Sequence, residues 1–384
     1  MVKKKILFIN GHLNVGGVEK SLTDILQHIN YERFDVELLL LEEAGDYLND
    51  LPKTVHISLK SLKNTYGPFW AGIRRCLKKR DWFSLKMQFV FLSMKFFGQD
   101  KIKLAENLLT GRKHYDIVVG FRPGICTQIA AYAVHADKKI AWWHHGEFNV
   151  SKDEYVAQLK QCTTLVSVSD CCAQMLVAQM PGIADKIEVI PNMIDEELLL
   201  QKSSSIASLY TDGVIHLITV GGLVPEKHIE NAIYAARGLK ESGILFQWHI
   251  VGNGVLWDNL MQMIEKKGMG EYVILEGAKE NPYPYIKNAN IYVHPSYVES
   301  QGITILEAMA LHVPCVVTKS RGPCEFVQDG VNGLLVDQSP QALTNGVRRL
   351  LEDEQLYAKI KSGTVCPSQF AVENVMQKIY NLFE

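Results

Sequence analysis

Nowhere in the 384 residues does an apolar run approach the ~18–20 residues that a membrane-spanning helix needs, so the sequence does not read as a spanning protein. The start, Met1-Val2-Lys3-Lys4-Lys5-Ile6-Leu7-Phe8-Ile9, resembles the opening of a leader peptide, but its apolar run stops at Asn10 and reads better as a first buried strand. A net charge is nearly absent too. Forty Lys and Arg stand against 42 Asp and Glu, which leaves −2 and no global basic footprint for nucleic acid. The eight cysteines contain no C-x-x-C pair, which argues against a zinc ribbon or a dense disulfide framework and makes reduced thiols in the cytoplasm the expectation.

What is present is an ordinary globular balance, 47% hydrophobic and 21% charged residues, enough to bury sizeable cores. At roughly 150 residues per domain, the length predicts two or three domains. Short runs rich in Val, Ile and Leu alternate with helical-period segments, the pattern of parallel βαβ units and an α/β class. Expected strands are Lys5–Ile9, Val36–Leu41, Asp116–Gly120, Lys139–Trp143, Thr164–Val168 and Ile187–Ile190, then His216–Val220, Phe246–Val251, Tyr272–Leu275, Ile291–His294, Cys315–Thr318 and Gly333–Val336. The polar stretch Gln201-Lys202-Ser203-Ser204-Ser205 interrupts the rhythm, so domains at 1–200 and 201–365 are expected. A C-terminal helical segment, 366–384, follows, and a crossing back to the first domain is one option for its docking.

One segment departs from this rhythm. Between Lys60 and Lys103, eleven basic residues face only Asp81 and Asp100, a local charge of +9. Phe69, Trp70, Trp82, Phe83, Phe89, Phe91, Phe96 and Phe97 are interleaved with them. Basic and aromatic residues together suit an anionic membrane surface. The alternative is helices whose aromatics pack on the N-terminal sheet and whose lysines are merely solvated.

Two stretches carry chemistry. Gly11-His12-Leu13-Asn14-Val15-Gly16-Gly17-Val18-Glu19 lies between a strand and a helix, where glycines let backbone N–H groups approach an anion. It lacks the G-x-G-x-x-G spacing, which disfavours a dinucleotide, and a plain tight turn explains it equally well. The second stretch runs from Pro295-Ser296 through Glu299, Gln301 and Gly302 into an apolar helix bearing Glu307. With Glu299 in the loop and the helix starting near Gly302, the two carboxylates can reach different hydroxyl groups of one ligand. The N–H groups of Gly302, Ile303 and Thr304 between them suit a phosphate. Two solvated surface acids are the alternative.

In order and spacing, these pieces resemble the retaining nucleotide-sugar glycosyltransferases of family 4, of the bacterial cell-surface polysaccharide type. The resemblance rests on Gly16-Gly17-Val18-Glu19, Trp143-His144, Val168-Ser169, Ile190-Pro191-Asn192, Gly221-Gly222-Leu223 with Lys227, and Val251-Gly252-Asn253-Gly254. It continues through Pro295-Ser296, the glutamate pair, Gly322-Pro323-Cys324-Glu325 and Asn332-Gly333. It implies the GT-B fold, two Rossmann-like domains facing a central cleft, with acceptors on the N-terminal domain and the nucleotide-sugar donor on the C-terminal one. The implied reaction moves a hexose or N-acetylhexosamine from a nucleotide sugar, UDP-linked in preference to GDP-linked, to a glycan hydroxyl in polysaccharide or lipopolysaccharide assembly.

The resemblance also assigns roles. Glu299 holds donor-sugar hydroxyls, Glu307 the ribose, and Lys227 neutralises the leaving diphosphate. His144 lies near the donor sugar, with His145 as the fallback. Gly17, Gly222, Gln301, Gly302, Ile303 and Thr304 stand on the donor side, and Glu19 on the acceptor side. A departure from the family pattern is Gly222, where an arginine is usual, so Arg321 or Arg122 must supply the missing charge or donor binding relies on Lys227 and helix dipoles. No Asp-x-Asp sequence occurs and the fold needs no metal, so neither metal nor other cofactor is expected. The expected partners are the nucleotide sugar, a lipid-linked glycan and the inner face of the cell membrane, with the protein cytoplasmic and peripheral and no nucleic acid involved. A catalytically silent nucleotide-sugar-binding partner subunit and a sugar-nucleotide epimerase on the same fold are the alternatives.

Overall fold

The structure is a computed structural model that describes residues 2–43, 45–145, 152–205, 209–210 and 213–384, without the side chains of 152 and 153. It divides into two compact units: the chain up to Pro191 together with Met376–Glu384, and Asn192–Val375. The first contains β1 (Lys4–Asn10), β2 (Phe34–Leu40), β3 (His56–Leu59), β4 (His114–Gly120), β5 (His135–Trp143), β6 (Thr164–Ser167) and β7 (Ile187–Val189), in the order β3-β2-β1-β4-β5-β6-β7. The second contains β8 (Ile215–Val220), β9 (Phe246–Val251), β10 (Val273–Gly277), β11 (Ile291–His294), β12 (Cys315–Thr318) and β13 (Leu334–Val336), in the order β10-β9-β8-β11-β12-β13. The pairings are parallel throughout. Both sheets are Rossmann-like.

Parallel strands covered on both faces read as continuous apolar runs, because successive side chains must all be buried. In the second unit Leu217, Ile291, Val293 and Val316 point into one core, while Ile218, Tyr292, Cys315 and Val317 point into the other. In the first, Leu7, Ile9, Leu39 and Val118 face a core of helices, and Phe8 on the opposite face meets Phe383 edge-on at 6.3 Å. Residues 376–384 thus cover the first sheet, fastened by Phe34 against Tyr380 and by Lys4 Nζ donating to the Phe383 carbonyl.

The division falls at Pro191/Asn192 rather than near residue 200. Asp195 caps a helix, Glu196–Ser203, by accepting from the Leu198 amide, so the polar run from Gln201 begins inside a helical last turn. All eight cysteines are free thiols. Among the described residues no helix is long and apolar enough to cross a membrane.

The basic segment forms two helices, Phe69–Lys79 and Trp82–Phe97. Phe83 and Phe91 pack inward against the first-unit core with Met87 and Val90. Trp70, Trp82, Phe89, Phe96 and Phe97 remain exposed.

Candidate active site

Strand order in the second unit reverses between β8 and β11, and the crevice beyond the carboxyl ends of such strands is where open α/β sheets bind ligands. Gly221-Gly222-Leu223 leaves β8 and leads to a short turn, Pro225–Lys227. Pro295-Ser296 leaves β11, and a loop carrying Glu299 precedes the helix Ile303–Ala310. The two loops are stitched together, with the Tyr297 amide donating to the Glu226 carbonyl at 3.0 Å and the His228 ring stacked on Tyr297. Thr318, at the end of β12, fixes the start of the second loop by donating to the carbonyls of His294 and Ser296. Gly302 caps the helix with φ +89°, a left-handed conformation that glycine adopts without strain.

This framework brings Lys227 and Glu299 into a 2.5 Å ion pair. His294, the last residue of β11, lies 2.9 Å from the same Glu299 oxygen, with the Tyr292 hydroxyl 3.3 Å from its other ring nitrogen and 2.7 Å from Thr304 Oγ1. Burial alone would push the Glu299 carboxyl up. The Lys227 charge and the His294 hydrogen bond outweigh that and hold it at about 2. Burial lowers the His294 imidazole, partly offset by Glu299, so His294 is a neutral donor through Nε2–H. The carboxylate is therefore ionised and fixed in direction, ready to accept from hydroxyl groups.

Glu307, in the second turn of the helix, is buried and accepts from Tyr283 Oη at 3.2 Å. The first N–H groups of that helix, at Ile303 and Thr304, have no intrahelical acceptor. Gln301 differs from expectation. Its amide is buried against Asn192, accepting from the Asn192 amide at 2.8 Å and from its side chain at 2.6 Å, and donating to its carbonyl at 3.1 Å. Its oxygen and one N–H are thus engaged in positioning the loop.

At Gly222 a Cβ would meet only Val224 and Asn253 at ordinary distances, so no steric demand excludes a side chain there. At Gly252, by contrast, a Cβ would lie 1.9 Å from the Gly221 carbonyl oxygen, and the loops after β8 and β9 touch backbone to backbone. Of the two arginines expected to compensate, Arg321 is exposed and precedes Gly322, whose amide donates to the Glu299 carbonyl. Arg122 instead lies in the first unit, 3.2 Å from Glu19.

That first unit reverses strand order between β1 and β4. Gly16 caps the helix Gly17–His28, and Glu19 in its first turn is buried against Arg122 and His12, the latter at 3.7 Å. His144 follows β5. Its Nε2 donates to the Phe121 carbonyl at 3.0 Å, which leaves Nδ1 as an acceptor. Burial, together with the nearby His145 and Arg122, depresses the imidazole to about 3. His144 is a neutral hydrogen-bonding group at physiological pH, not a proton carrier.

A pH dependence follows. Between about pH 6.5, where a histidine in the unfolded chain titrates, and about 3, the unfolded chain binds a proton that folded His144 refuses. This contribution is fully present above pH 6.5 and fades as pH falls, by about 2 kcal/mol at pH 5. Denaturant unfolding of the parent and a His144→Gln variant at pH 7.5 and 5 measures it. The parent should lose about 2 kcal/mol more than the variant, and equal losses would refute the assignment.

His12 and His294 are the participants that sequence reasoning missed. The available signal for His294 was its place as the last residue before Pro295-Ser296, five before Glu299. Among the described residues no group of three or more His, Cys, Asp or Glu is arranged to hold a metal.

Residues 206–364 match the family described as Glycosyl transferases group 1. The chain is 30% identical, over 91% of its length and 91% of the relative's, to the N-acetylgalactosamine-N,N'-diacetylbacillosaminyl-diphospho-undecaprenol 4-alpha-N-acetylgalactosaminyltransferase of Campylobacter jejuni. It is 27% identical over 43% of its length to the poly(ribitol-phosphate) alpha-N-acetylglucosaminyltransferase of Staphylococcus aureus, but spans only 34% of that protein; several other relatives are covered over less than two thirds of their length. In three dimensions it is similar to Anabaena Alr3699/HepE, crystallised with UDP and glucose, at TM-score 0.71 and 19% identity over 99% of both chains. That likeness establishes the GT-B fold.

Proposed function

Because the chain belongs to the group 1 glycosyltransferases, we propose that it moves a hexose or N-acetylhexosamine from a UDP-sugar to a hydroxyl of a lipid-carried glycan, with retention at the anomeric carbon. The product belongs to a bacterial cell-surface polysaccharide. The observation that carries this reading is the Lys227–Glu299–His294 cluster at the switch point of the second sheet. A lipid-carried acceptor is supported by the Campylobacter relative, whose name specifies a diphospho-undecaprenol substrate. The UDP-sugar is supported by the Anabaena neighbour crystallised with UDP and glucose. Eight free thiols support a reducing, cytoplasmic setting.

In this reading Lys227 and the N–H groups opening the helix Ile303–Ala310 meet the charge that grows on the leaving diphosphate, the largest electrostatic demand of the transition state. Glu299, ionised and aimed by His294, accepts from hydroxyls of the sugar being transferred. Glu307 accepts from the ribose. The resemblance to the family supports a role for His144, a neutral hydrogen-bonding group, toward the donor sugar and for Glu19 toward the acceptor. Arg321, exposed beside the Glu299 loop, is the basic residue best suited to replace the arginine missing at Gly222.

The test is a thermal-shift screen of nucleotide sugars, followed by product analysis with the responding donor. A UDP-sugar should raise the melting temperature and, without acceptor, yield UDP and a free sugar released in the donor's own anomeric configuration. Gly222 favours a second reading, a silent partner subunit; binding without turnover, or no response to any donor, would support it.

The charge on the diphosphate is met here by Lys227 and helix termini, so no divalent ion is required. Turnover should be unchanged in excess EDTA. Loss of activity that magnesium or manganese restores would contradict both the site and its assignment to this chemistry.

A further inference from the structure

The helix Trp82–Phe97 is apolar on two opposite faces. Met87 and Val90, with Phe83, Phe91 and Met94, pack into the first-unit core. On the other side Trp82, Phe89 and Phe96 follow one another at intervals of seven residues and form a ridge, 64%, 54% and 69% exposed, extended by Phe97 at 71%. A helix apolar all round is normally covered on every side.

The ridge does not end with its own helix. Phe69 stands edge-on to Phe89 at 5.9 Å and to Trp70 at 5.2 Å, joining the ridge to the outer face of the helix Phe69–Lys79. There Trp70, Arg74, Leu77 and Lys78 lie at positions i, i+4, i+7 and i+8, all exposed. The two helices form a fixed platform. Gly72 lets them meet at Gln88, whose amide donates to the Thr65 carbonyl, and Asp81 caps the second helix while holding Asn64. Five aromatic rings of ~150–250 Å² each, more than half exposed, make an apolar patch on the order of several hundred Å², at the upper limit for a surface left bare in water.

We infer that this ridge is a bilayer-insertion surface: Trp70, Trp82, Phe89, Phe96 and Phe97 enter the interfacial layer of an anionic membrane while Arg74, Lys78, Lys79, Arg80 and Lys86 engage its headgroups. Charge selects this occupant over a second copy of the chain. The segment carries +9 between Lys60 and Lys103, and pairing two such faces would bring like charges together. An anionic bilayer supplies both a low-dielectric layer for the rings and the opposite charge for their collar. Phe83 and Phe91 take no part, since they belong to the core. The inference does not depend on the transfer reaction.

Flotation with vesicles of phosphatidylcholine alone or with 30% phosphatidylglycerol tests it on the full chain. Binding should require the anionic lipid and fall at least tenfold between about 0.05 and 0.5 M salt. A Trp82→Ser/Phe89→Ser/Phe96→Ser variant should lose about tenfold or more in partitioning. Serine at the five basic positions should markedly weaken both the binding and its salt dependence. Because all eight positions are exposed, near-parental melting temperatures are expected and show that the variants fold. Donor hydrolysis without acceptor should be unaffected in both, so a failed transferase assay and a failed flotation are separable. Equal partitioning into neutral and anionic vesicles, none into either, or a concentration-dependent dimer that the serine ridge variant dissolves would overturn the proposal.

Discussion

Lys227→Ala should lower turnover at least tenfold with donor and acceptor saturating, since a loss of about 1.4 kcal/mol of transition-state stabilisation already corresponds to tenfold. Two effects add. The ammonium that would face the leaving diphosphate is gone, and Glu299 loses the charge that holds its carboxyl at about 2. Burial then dominates, and the Glu299 pKa rises. The acid limb of the pH–rate profile should therefore move to higher pH in Lys227→Ala, which a lysine serving only as a solvated side chain would not cause. Lys227→Arg should recover part of the rate by restoring the charge. Glu299→Ala should cost a similar factor, and the double variant should lose less than the product of the two single losses, because the residues act as a pair. Near-parental turnover in either single variant would remove the cluster from the mechanism.

The same electrostatics fixes a stability window. Glu299 titrates near 4.5 when unfolded and near 2 in the folded chain, so its contribution is present above pH 4.5 and is lost as pH falls toward 2. Depression of a buried carboxyl requires partners that outweigh its burial, and here they converge on one Glu299 oxygen from the turn after β8, at Lys227, and from the end of β11, at His294. The glutamate itself could be read from the chain because Pro295-Ser296 and the glycine turn bracket it. His294 had only its place before Pro295-Ser296 to mark it, and a histidine closing an apolar strand has the same local pattern whether it packs or serves.

The strands show the same division. Twelve of the thirteen described strands were legible, most of them because strands buried on both faces write themselves as unbroken apolar runs. The missed one, β3, is a four-residue edge strand whose His56, Ile57 and Leu59 are exposed, so neither a run nor an alternation marks it. The division at Pro191 was hidden for the opposite reason: the serines after Gln201 look like a linker but belong partly to a helix whose apolar Leu199 is buried in the second-unit core. In the basic segment, composition could not separate Phe83 and Phe91 from Phe89 and Phe96. Only the direction of each side chain around the helix distinguishes core from ridge.

Gln301→Ala should destabilise the second unit by roughly 2–4 kcal/mol, because hydrogen-bonding groups of Asn192 would be left buried and unpaired at about 1–3 kcal/mol each, with partial relaxation. For a unit of this size that corresponds to a fall of roughly 5–15 °C in its melting transition. The geometry explains why the effect is large. Asn192 opens the second unit directly after Pro191, and Gln301 directly precedes Gly302, so one amide ties the start of the unit to the loop that aims Glu299. Donor affinity should fall less than stability does, since the Gln301 oxygen and one of its two N–H groups are already engaged with Asn192. Calorimetry and donor titration of the same variant separate the two roles. A variant that melted like the parent but had lost its selectivity among donor sugars would return Gln301 to the ligand-facing role that its position beside Gly302 suggests from sequence alone.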